Sequence, residues 1–249
     1  NTAFCLSLQA GVNMSFAHAT GELPDAPIYV FPSIDQNHSI CKRHLDKLLA
    51  KVKEGASLYL SLGEGLFREL PEITGVTIAY RQKTNSPETV TLKSTKLKLK
   101  ADYKYIIESC NAEVLATGED GRPVYTKHRY GSGYVYFSTI PIEKYLSTNE
   151  EFCSDKSTDY SVWYRPLFDL VKENHIVNIE SQLLCATEHE IDSNNRLVIA
   201  INYSHTDIES ALNIEKGWNI SEIYYGNCKS NTISANACDA VIFRIGREN

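Results

Sequence analysis

The residues best placed for chemistry form a glycine turn, Gly63-Glu64-Gly65, that directly follows the apolar segment 57–62. Hydrolases with an α/β fold carry a nucleophilic serine or cysteine between the glycines of such a turn, where a strand enters a helix. Here Glu64 stands at that position, and Ser61 has no evident histidine partner in the sequence. The pattern therefore favours a tight glycine turn, with Glu64 solvated or capping the next helix, over a nucleophile elbow.

Motifs for cofactors and metals are absent from the sequence. The two glycine-rich signatures for phosphate binding, G-x-x-x-x-G-K-[ST] and G-x-G-x-x-G, are not present. Gly131-Ser132-Gly133 joins two predicted strands instead of opening a helix. The seven histidines show no H-x-x-x-H or H-x-H spacing. Glu188-His189-Glu190 lies on a predicted strand, where only alternate residues share a face, so we expect a solvated edge. We therefore predict no cofactor and no metal.

Two glutamates and three aromatic residues keep carbohydrate chemistry open. Glu64 and Glu143 each follow a predicted strand of the sheet, and paired carboxylates carry out glycoside hydrolysis. Trp218, Tyr224 and Tyr225 could form a stacking platform for a sugar, although such residues are more often the core and rim of a small β domain. Nothing else distinguishes the two glutamates among 31 acidic residues, so no catalytic residue is predicted.

Composition limits the possible partners and compartments. The 249-residue chain carries 25 Lys and Arg against 31 Asp and Glu, and this net charge of −6 argues against a binder of duplex nucleic acid. No segment approaches the ~20 apolar residues of a membrane-spanning helix, so we expect no membrane partner. Seven cysteines without regular spacing match neither a disulfide framework nor a zinc motif, and they indicate reduced thiols in a cytoplasmic protein.

Helices alternate with apolar strands over the first 80 residues. Short connections between such elements predict an open, mostly parallel α/β sheet of the flavodoxin-like kind. The predicted elements are a helix that Gly11 ends, a strand at 28–31, a helix that Ser39 caps and Gly55 ends, a strand at 57–62, and a short helix at 66–70 that Pro71 limits.

Residues 76–140 show an alternating β pattern. Lys96, Lys98 and Lys100 occupy every outward position of one strand, which indicates an edge strand protected against self-pairing; a stripe for an anionic ligand is the alternative. A meander follows at 113–139. Its last strand, Tyr134–Thr139, is apolar on both faces, so we expect this strand to rejoin the central sheet.

The last third of the chain is predicted to form a second domain. After a polar loop, Trp163–Asn174 has the pattern of an amphipathic helix with Pro166 in its first turn. Six short strands with polar turns then indicate a small antiparallel β-sandwich. We place the boundary near residue 176, giving an α/β domain at 1–176 and a sandwich at 177–249.

Several segments in this order carry a family resemblance. They are Phe4, Ala10-Gly11, Leu23-Pro24-Asp25, Tyr29–Ser33, Leu48-Leu49, Val52 and Gly55–Ser61, and then Asp120–Val124 and Arg129–Phe137. Together they resemble the glutamine-amidotransferase-like domain found behind the catalytic barrel of bacterial glycoside hydrolases. In β-galactosidases this domain is called a trimerisation domain, and a small C-terminal β-sandwich follows it.

The chain also departs from that family in ways that bear on function. The resemblance implies that a catalytic (β/α)₈ barrel with its two glutamates would lie upstream, outside this sequence, and that the first strand of the amidotransferase-like domain is missing. The amidotransferase cysteine is not present at Gly63-Glu64-Gly65, so ammonia-releasing chemistry is not expected.

The resemblance implies a non-catalytic accessory region of a glycoside hydrolase, in contact with its own catalytic barrel or with other subunits of a homo-oligomer. Open α/β sheets bind ligands beyond the carboxyl ends of their strands, so the candidate binding residues are Ser33, Gly63, Glu64 and Gly65, with Trp218 on the sandwich. A carbohydrate-binding module that uses the sandwich aromatics is the alternative. A third possibility is an enzyme in which Glu64 or Glu143 is the general acid or base.

Overall fold

The computed structural model describes residues 2–18, 21–35, 41–66, 68–149, 152, 158–169, 171 and 175–247. Contacts divide the chain into two compact units. One comprises Thr2 and Ser15–Asn149, and the other Ala3–Met14 with Glu150–Asn249. In this division residues 150–176, which the sequence analysis assigns to the α/β domain, group with the C-terminal strands.

Strands dominate the described part of the chain. In chain order its elements are α1 (Thr2–Gln9), β1 (Ile28–Ile34), α2 (Lys42–Glu54), β2 (Ser57–Leu62), α3 (Leu70–Thr74), β3 (Val76–Lys83), β4 (Glu88–Leu92), β5 (Thr95–Leu99), β6 (Tyr103–Cys110), β7 (Glu113–Thr117), β8 (Pro123–Tyr130), β9 (Gly133–Ser138), α4 (Ile142–Ser147), a 3₁₀ helix (Tyr160–Trp163), α5 (Arg165–Phe168), β10 (Val177–Ile179), β11 (Leu184–Asp192), β12 (Asn195–Asn202), β13 (Ile208–Ile214), β14 (Trp218–Tyr225), β15 (Asn227–Lys229), β16 (Thr232–Ala235) and β17 (Ala240–Arg247).

The unit 15–149 is built on a seven-stranded mixed sheet in the order β1-β2-β9-β8-β7-β4-β5. Strands β1, β2 and β9 run parallel, whereas the remaining neighbours are antiparallel. The sheet is therefore mixed: the prediction of a mostly parallel, flavodoxin-like sheet holds for β1, β2 and β9 but not for β8, β7, β4 and β5, of which β7 and β8 belong to the predicted meander. Two-residue turns such as Gly131-Ser132 cannot carry the crossover that a parallel pair needs, so the meander strands return antiparallel.

Two predictions about this sheet are confirmed. The last meander strand, β9, rejoins the sheet beside β2, with Tyr134 opposite Ser57. The lysine-bearing strand, β5, lies at the edge of the sheet, where Lys96 and Lys98 are exposed while Leu97 and Leu99 between them are fully buried. Charged side chains at such an edge oppose pairing with another strand.

Helix α2 covers the parallel strands through the apolar side of an otherwise charged sequence. Leu45, Leu48, Leu49 and Val52 recur at helical spacing and are buried against β1 and β2 residues such as Leu60. Gly55 ends the helix as predicted, with its amide bonded to Val52 O. Ser39, the predicted cap, lies outside the described residues.

Helix α3 starts where the sequence analysis placed the end of a helix. It begins at Leu70, and Pro71 stands in its first turn. A proline there gives up only an amide that the helix does not use, and its fixed φ favours the first turn. The predicted helix at 66–70 is therefore wrong, since Pro71 begins a helix instead of limiting one.

A two-stranded ribbon, β3 paired with β6, was not predicted. The two strands are antiparallel, and register irregularities occur near Ile78. Such bulges break the strict alternation by which a strand is recognised in a sequence. The ribbon is separate from the seven-stranded sheet in its pairing, and its position near the turn at residues 63–65 is described below.

The second unit contains two four-stranded antiparallel sheets, β10-β13-β16-β15 and β11-β12-β17-β14. Buried side chains from both sheets form one core, with Val198 and Phe243 from one and Leu212 and Ile233 from the other. This arrangement agrees with the predicted antiparallel sandwich.

Three helical segments belong to this second unit. The predicted first helix is present as α1, and Gly11 follows it with φ 78°. The predicted amphipathic helix is interrupted at Tyr164, between the 3₁₀ helix and α5. Residues 170 and 172–174 of that prediction lie outside the described residues.

Close packing at the start of β9 generates a stability prediction. A Cβ at Gly133 would overlap the carbonyl oxygens of Ala56 and Val52. Because these are backbone atoms, Gly133→Ala should lower the free energy of unfolding by about 1–3 kcal/mol, as overpacking does in other interiors. Urea unfolding followed by circular dichroism measures the change.

Gly246→Ala is the matched control. A Cβ at Gly246 would meet its nearest neighbour, Asn195 Oδ1, at 3.5 Å, an ordinary contact distance. We expect this variant to unfold within about 0.5 kcal/mol of the wild type. Equal stability of the two variants would contradict the close approach at Gly133.

Candidate functional site

The carboxyl ends of β1 and β2 meet at a buried glutamate, Glu143, in α4. Ser61 Oγ donates to Glu143 Oε2 at 2.8 Å, and Ser33 Oγ donates to the same oxygen at 3.3 Å. The Ser33 amide in turn donates to Ser61 Oγ at 2.6 Å. Ser61 is fully buried, Glu143 is only 5% exposed and Ser33 is partly exposed, so the network lies mostly inside the protein.

Ser33 reaches this network through an unusual backbone conformation. Its φ of 52° is in the left-handed region, which residues other than glycine rarely occupy. The pairing of β1 with β2 is irregular at the same place, between Phe31 and Ile34. Strain of this kind persists where the surroundings fix it, and here the two serine hydrogen bonds do so.

The glycine turn folds back against β1. The amides of Gly63 and Gly65 both donate to Ile34 O at 2.9 Å. A Cβ at Gly63 would overlap the Asp35 carboxylate, so a larger residue there would have to displace that side chain. The Glu64 side chain is exposed. The turn thus has the tight form expected from its sequence.

The ribbon β3–β6 covers this turn from outside. Tyr105 Oη donates to Gly63 O at 2.6 Å, and the Arg81 guanidinium donates to Glu64 O. Arg81 also stacks on the Tyr103 ring, 4.4 Å from its centroid. The Gly63 and Glu64 carbonyls of this edge are therefore bonded to the protein's own side chains.

A lysine ties the same edge together by charge. Lys144 Nζ lies 3.2 Å from the Asp35 carboxylate and 3.1 Å from that of Asp102. Burial alone would lower the pKa of Lys144, but its hydrogen bonds and attraction to the two aspartates outweigh burial and raise the pKa. The ammonium group therefore stays charged as it bridges the end of β1 and the start of β6.

These contacts bear on the catalytic alternatives. A serine beside a carboxylate could act as a nucleophile with its base, but both Ser61 and Glu143 are closed off from solvent. The Ser61 hydroxyl is fully buried in this arrangement. The network of Ser33, Ser61 and Glu143 is suited to holding strands and helix together, and the exposed Glu64 is not part of it.

Trp218, the candidate on the sandwich, is in the core of its unit. It is only 7% exposed, and the guanidinium groups of Arg196 and Arg247 lie 5.8 and 5.7 Å from its ring. A tryptophan in this position offers no free face to a sugar. Tyr224 and Tyr225 on the same strand are instead 51% and 52% exposed.

The structure corrects the expectation of a solvated edge at Glu188. Its side chain is only 4% exposed and accepts hydrogen bonds from the Val177 amide at 2.8 Å and from Arg196 at 3.1 Å. Burial alone would raise the pKa of Glu188, but hydrogen bonds from His175, Val177 and Arg196 lower it overall. Its neighbour Glu190 is exposed, as expected.

Sequence analysis missed two contacts between cysteine and histidine. Cys41 Sγ lies 3.0 Å from His44 Nδ1, and Cys238 Sγ lies 3.5 Å from His205 Nδ1. The first pair has a spacing of three residues, which brings side chains together at the start of a helix and could have been noticed. Both thiols are exposed.

The described residues show neither a metal-binding cluster nor a membrane-spanning helix. These residues contain no group of three or more His, Cys, Asp or Glu side chains arranged to hold a metal ion. No helix in the described part of the chain is long and apolar enough to cross a membrane.

Comparison with known proteins gives structural matches only. No protein-family model matches the sequence, and no curated protein matches it. The β-galactosidase from Bacillus circulans sp. alkalophilus is similar, with a TM-score of 0.67 and 13% identity over 99% of this chain and 37% of that one. The β-galactosidase from Rahnella sp. R3 has a TM-score of 0.69 and 14% identity over 96% and 35%.

An α-L-fucosidase, isoenzyme 2 from Paenibacillus thiaminolyticus, is also similar, with a TM-score of 0.65 and 11% identity over all of this chain and 44% of that one. This chain shares its fold with part of each enzyme. It spans about a third to less than half of the length of these proteins. At such low identity, the likeness concerns the fold alone.

The buried network predicts a measurable coupling. Ser61→Ala removes a donor to Glu143 and should lower the free energy of unfolding by about 1–3 kcal/mol, the cost of an unsatisfied buried polar group. Ser57→Ala, at the other end of β2, is the control and should lower the free energy of unfolding by less than Ser61→Ala does. In a cycle with Glu143→Gln, the two changes should be non-additive by at least about 0.5 kcal/mol; additivity would contradict the network.

The buried Glu188 predicts a pH dependence of stability. Because its pKa is lower in the folded chain than in the unfolded chain, its stabilising effect is complete above the unfolded value of about 4.3 and is lost as the pH falls through the folded value. Glu188→Gln should lower the free energy of unfolding at pH 7 by about 2 kcal/mol. The variant should also lose less stability than the wild type between about pH 5 and pH 3.

Urea unfolding at several pH values measures this difference. Glu190→Gln, on the same strand and exposed, is the control and should follow the wild-type curve. If the free energies of unfolding of Glu188→Gln and the wild type changed in parallel with pH, the lowered pKa of Glu188 in the folded chain would be contradicted.

Proposed function

We propose that this chain is a non-catalytic accessory and assembly region of a glycoside hydrolase, whose catalytic domain lies outside this sequence. The observation that carries the proposal is that almost the whole chain matches about a third of each β-galactosidase structure. The match to less than half of an α-L-fucosidase points to the same class of enzyme. The finer assignment, an amidotransferase-like domain followed by a sandwich, belongs to this proposal.

The geometry of the candidate site supports an accessory role. Catalysis of glycoside hydrolysis requires a pair of carboxyl groups that a sugar can reach. Of the two glutamates at the carboxyl edge of the parallel strands, Glu143 is bonded to Ser61 inside the protein. The turn that carries Glu64 is held by Arg81 and Tyr105. The edge is thus built as a rigid support.

Assembly is the second half of the proposal. We propose that the chain contacts its own catalytic barrel or other subunits, in a cytoplasmic homo-oligomer. Large apolar side chains remain exposed in the unit 15–149, among them Tyr80 and Val114. Exposed apolar groups of this kind are commonly covered by a partner when they form part of an interface.

Two measurements on the 249-residue chain test the proposal together. Turnover is measured with a panel of nitrophenyl glycosides, and molar mass is measured by light scattering on the same sample. We expect no turnover and a molar mass of at least twice the 28.0 kDa of one chain. A monomer would contradict the assembly role.

Turnover would contradict the non-catalytic role, and two variants would then locate its source. Glu64→Gln changes an exposed carboxylate, whereas Glu143→Gln changes a buried one. Loss of activity in Glu64→Gln with an unchanged melting temperature would establish an enzyme. Loss in Glu143→Gln alone, accompanied by a lower melting temperature, would reflect the buried network.

A further inference from the structure

The second unit exposes an aromatic surface that the accessory role does not use. Ile223, Tyr224 and Tyr225 close strand β14 and are 44%, 51% and 52% exposed. Strand β14 is at the edge of its sheet and pairs only with β17. We call the surface formed by Ser221–Tyr225 with Asn236, Asp239 and Arg244 the tyrosine edge.

The backbone of the tyrosine edge is irregular at two places. The register with β17 shifts between Ile220 and Glu222 and again between Ile223 and Tyr225. Each shift inserts an extra residue, so Ser221 and Tyr224 stand at β-bulges. Bulges protect an edge strand from pairing, and they also re-aim side chains and are frequent beside binding sites.

Protection of the edge does not explain the two tyrosines. A bulge and a charge such as Glu222 already oppose strand pairing. Two large aromatic side chains exposed at adjacent positions of the chain add apolar surface that water solvates poorly. Strand protection therefore leaves the exposure of these two side chains unexplained.

Tyr225 is held in position by an aspartate. Its hydroxyl donates to Asp239 Oδ1 at 3.1 Å, and the Asn236 amide donates to Asp239 Oδ2 at 3.3 Å. The Ala240 amide also donates to Asp239 at 2.8 Å, and this bond lowers the pKa of the carboxyl. Asp239 is therefore an ionised anchor that fixes the Tyr225 ring before any ligand arrives.

Tyr224 has a similar anchor on the other side. A hydrogen bond to Glu222 raises the pKa of the Tyr224 hydroxyl, which therefore stays protonated. Glu222 also lies 3.5 Å from Arg244, whose Nε donates to Ser221 Oγ at 3.1 Å. Both rings are thus pre-oriented, which reduces the entropy lost on binding.

We propose that the tyrosine edge binds a neutral oligosaccharide. Two aromatic faces suit the C–H faces of pyranose rings, and the surrounding carboxylate, amide and guanidinium groups suit sugar hydroxyls. Two carboxylates, Glu222 and Asp239, disfavour an anionic ligand, since Arg244, the cation of this surface, is engaged with Glu222. The occupant is therefore an uncharged sugar chain and not an acidic one.

Sugar binding at the tyrosine edge would be a property separate from the accessory role. It involves Tyr224 and Tyr225 and not Trp218. The buried indole lies at the start of β14, while both exposed rings lie at its end. Gly226 follows at once with φ 82°, and a Cβ there would stand 2.9 Å from Val241 Cγ2. This glycine lets the chain leave for β15 directly after Tyr225.

Isothermal titration of the 249-residue chain with neutral β-1,4-linked tetrasaccharides of galactose, glucose and mannose tests the proposal. We expect at least one to bind with a Kd of about 1 mM or tighter. Tyr224→Ala and Tyr225→Ala should each weaken binding at least tenfold. Tyr225→Phe keeps the ring but loses the bond to Asp239, so it should weaken binding only about threefold. Tetragalacturonate, an anionic chain, should bind at least tenfold more weakly than the best neutral one.

Tyr134→Ala, which removes a partly exposed tyrosine from the other unit, is the matched control and should bind as the wild type does. Because variants could unfold, chemical shifts of the wild-type chain are also recorded during titration, and perturbations should centre on residues 221–225 and 236–239. No binding by about 10 mM, binding unaffected by both alanine variants, or shifts centred elsewhere would overturn the proposal.

A protein partner on the same surface is a separate outcome. A fall in molar mass of Tyr224→Ala, without any sugar binding by the wild type, would make the tyrosine edge an interface between copies of this chain and would overturn the proposal. Sugar binding by a chain that is monomeric or catalytically active would leave this proposal standing and remove the accessory one.

Discussion

A carboxyl group placed inside a protein must be surrounded by hydrogen-bond donors, and the architecture around Glu143 follows from that requirement. Ser61 supplies one donor from the end of β2 and Ser33 another from β1, at the cost of a left-handed backbone in the latter. The glycine turn then folds under Ile34 O, and β3–β6 covers it. The parallel strands and their carboxyl edge are thereby held together by hydrogen bonds from side chains of distant segments.

Local pattern was sufficient to predict part of the fold. Alternating lysines in β5 revealed an edge strand, and the two apolar faces of Tyr134–Thr139 revealed a strand that is buried on both sides. Such signals depend only on the burial and periodicity of one strand, so they can be recognised without knowing the neighbouring strands. The mixed character of the sheet was harder to predict, because β4 and β5 join it through the pairing of β4 with β7, and such a pairing leaves no local pattern in the sequence. The start of α3 was misplaced because Pro71 is compatible with either end of a short helix.

The candidate site was predictable only in its position along the chain. Ser33 and the Gly63–Gly65 turn do lie at one edge of the sheet, but the Glu143 side chain that ties them comes from 82 residues after Ser61. Partners at such separation leave no periodic mark in a sequence. Glu188 is another case, because its burial depends on Arg196 from the next strand and on backbone amides near Val177. A charged residue on a strand is predicted to be exposed when such partners are not known.

The connectivity of the ribbon has a consequence for the order of folding. Strands β3 and β6 pair across an intervening hairpin, β4–β5, and their contact begins with Lys83 opposite Tyr103. Closing a loop costs entropy that grows with its length, so early formation of the hairpin shortens the effective distance between the ribbon strands. Tyr105 and Arg81 would then reach the glycine turn only after the ribbon has closed. The carboxyl edge of the sheet is therefore expected to seal late in folding, after the hairpin and the ribbon have formed.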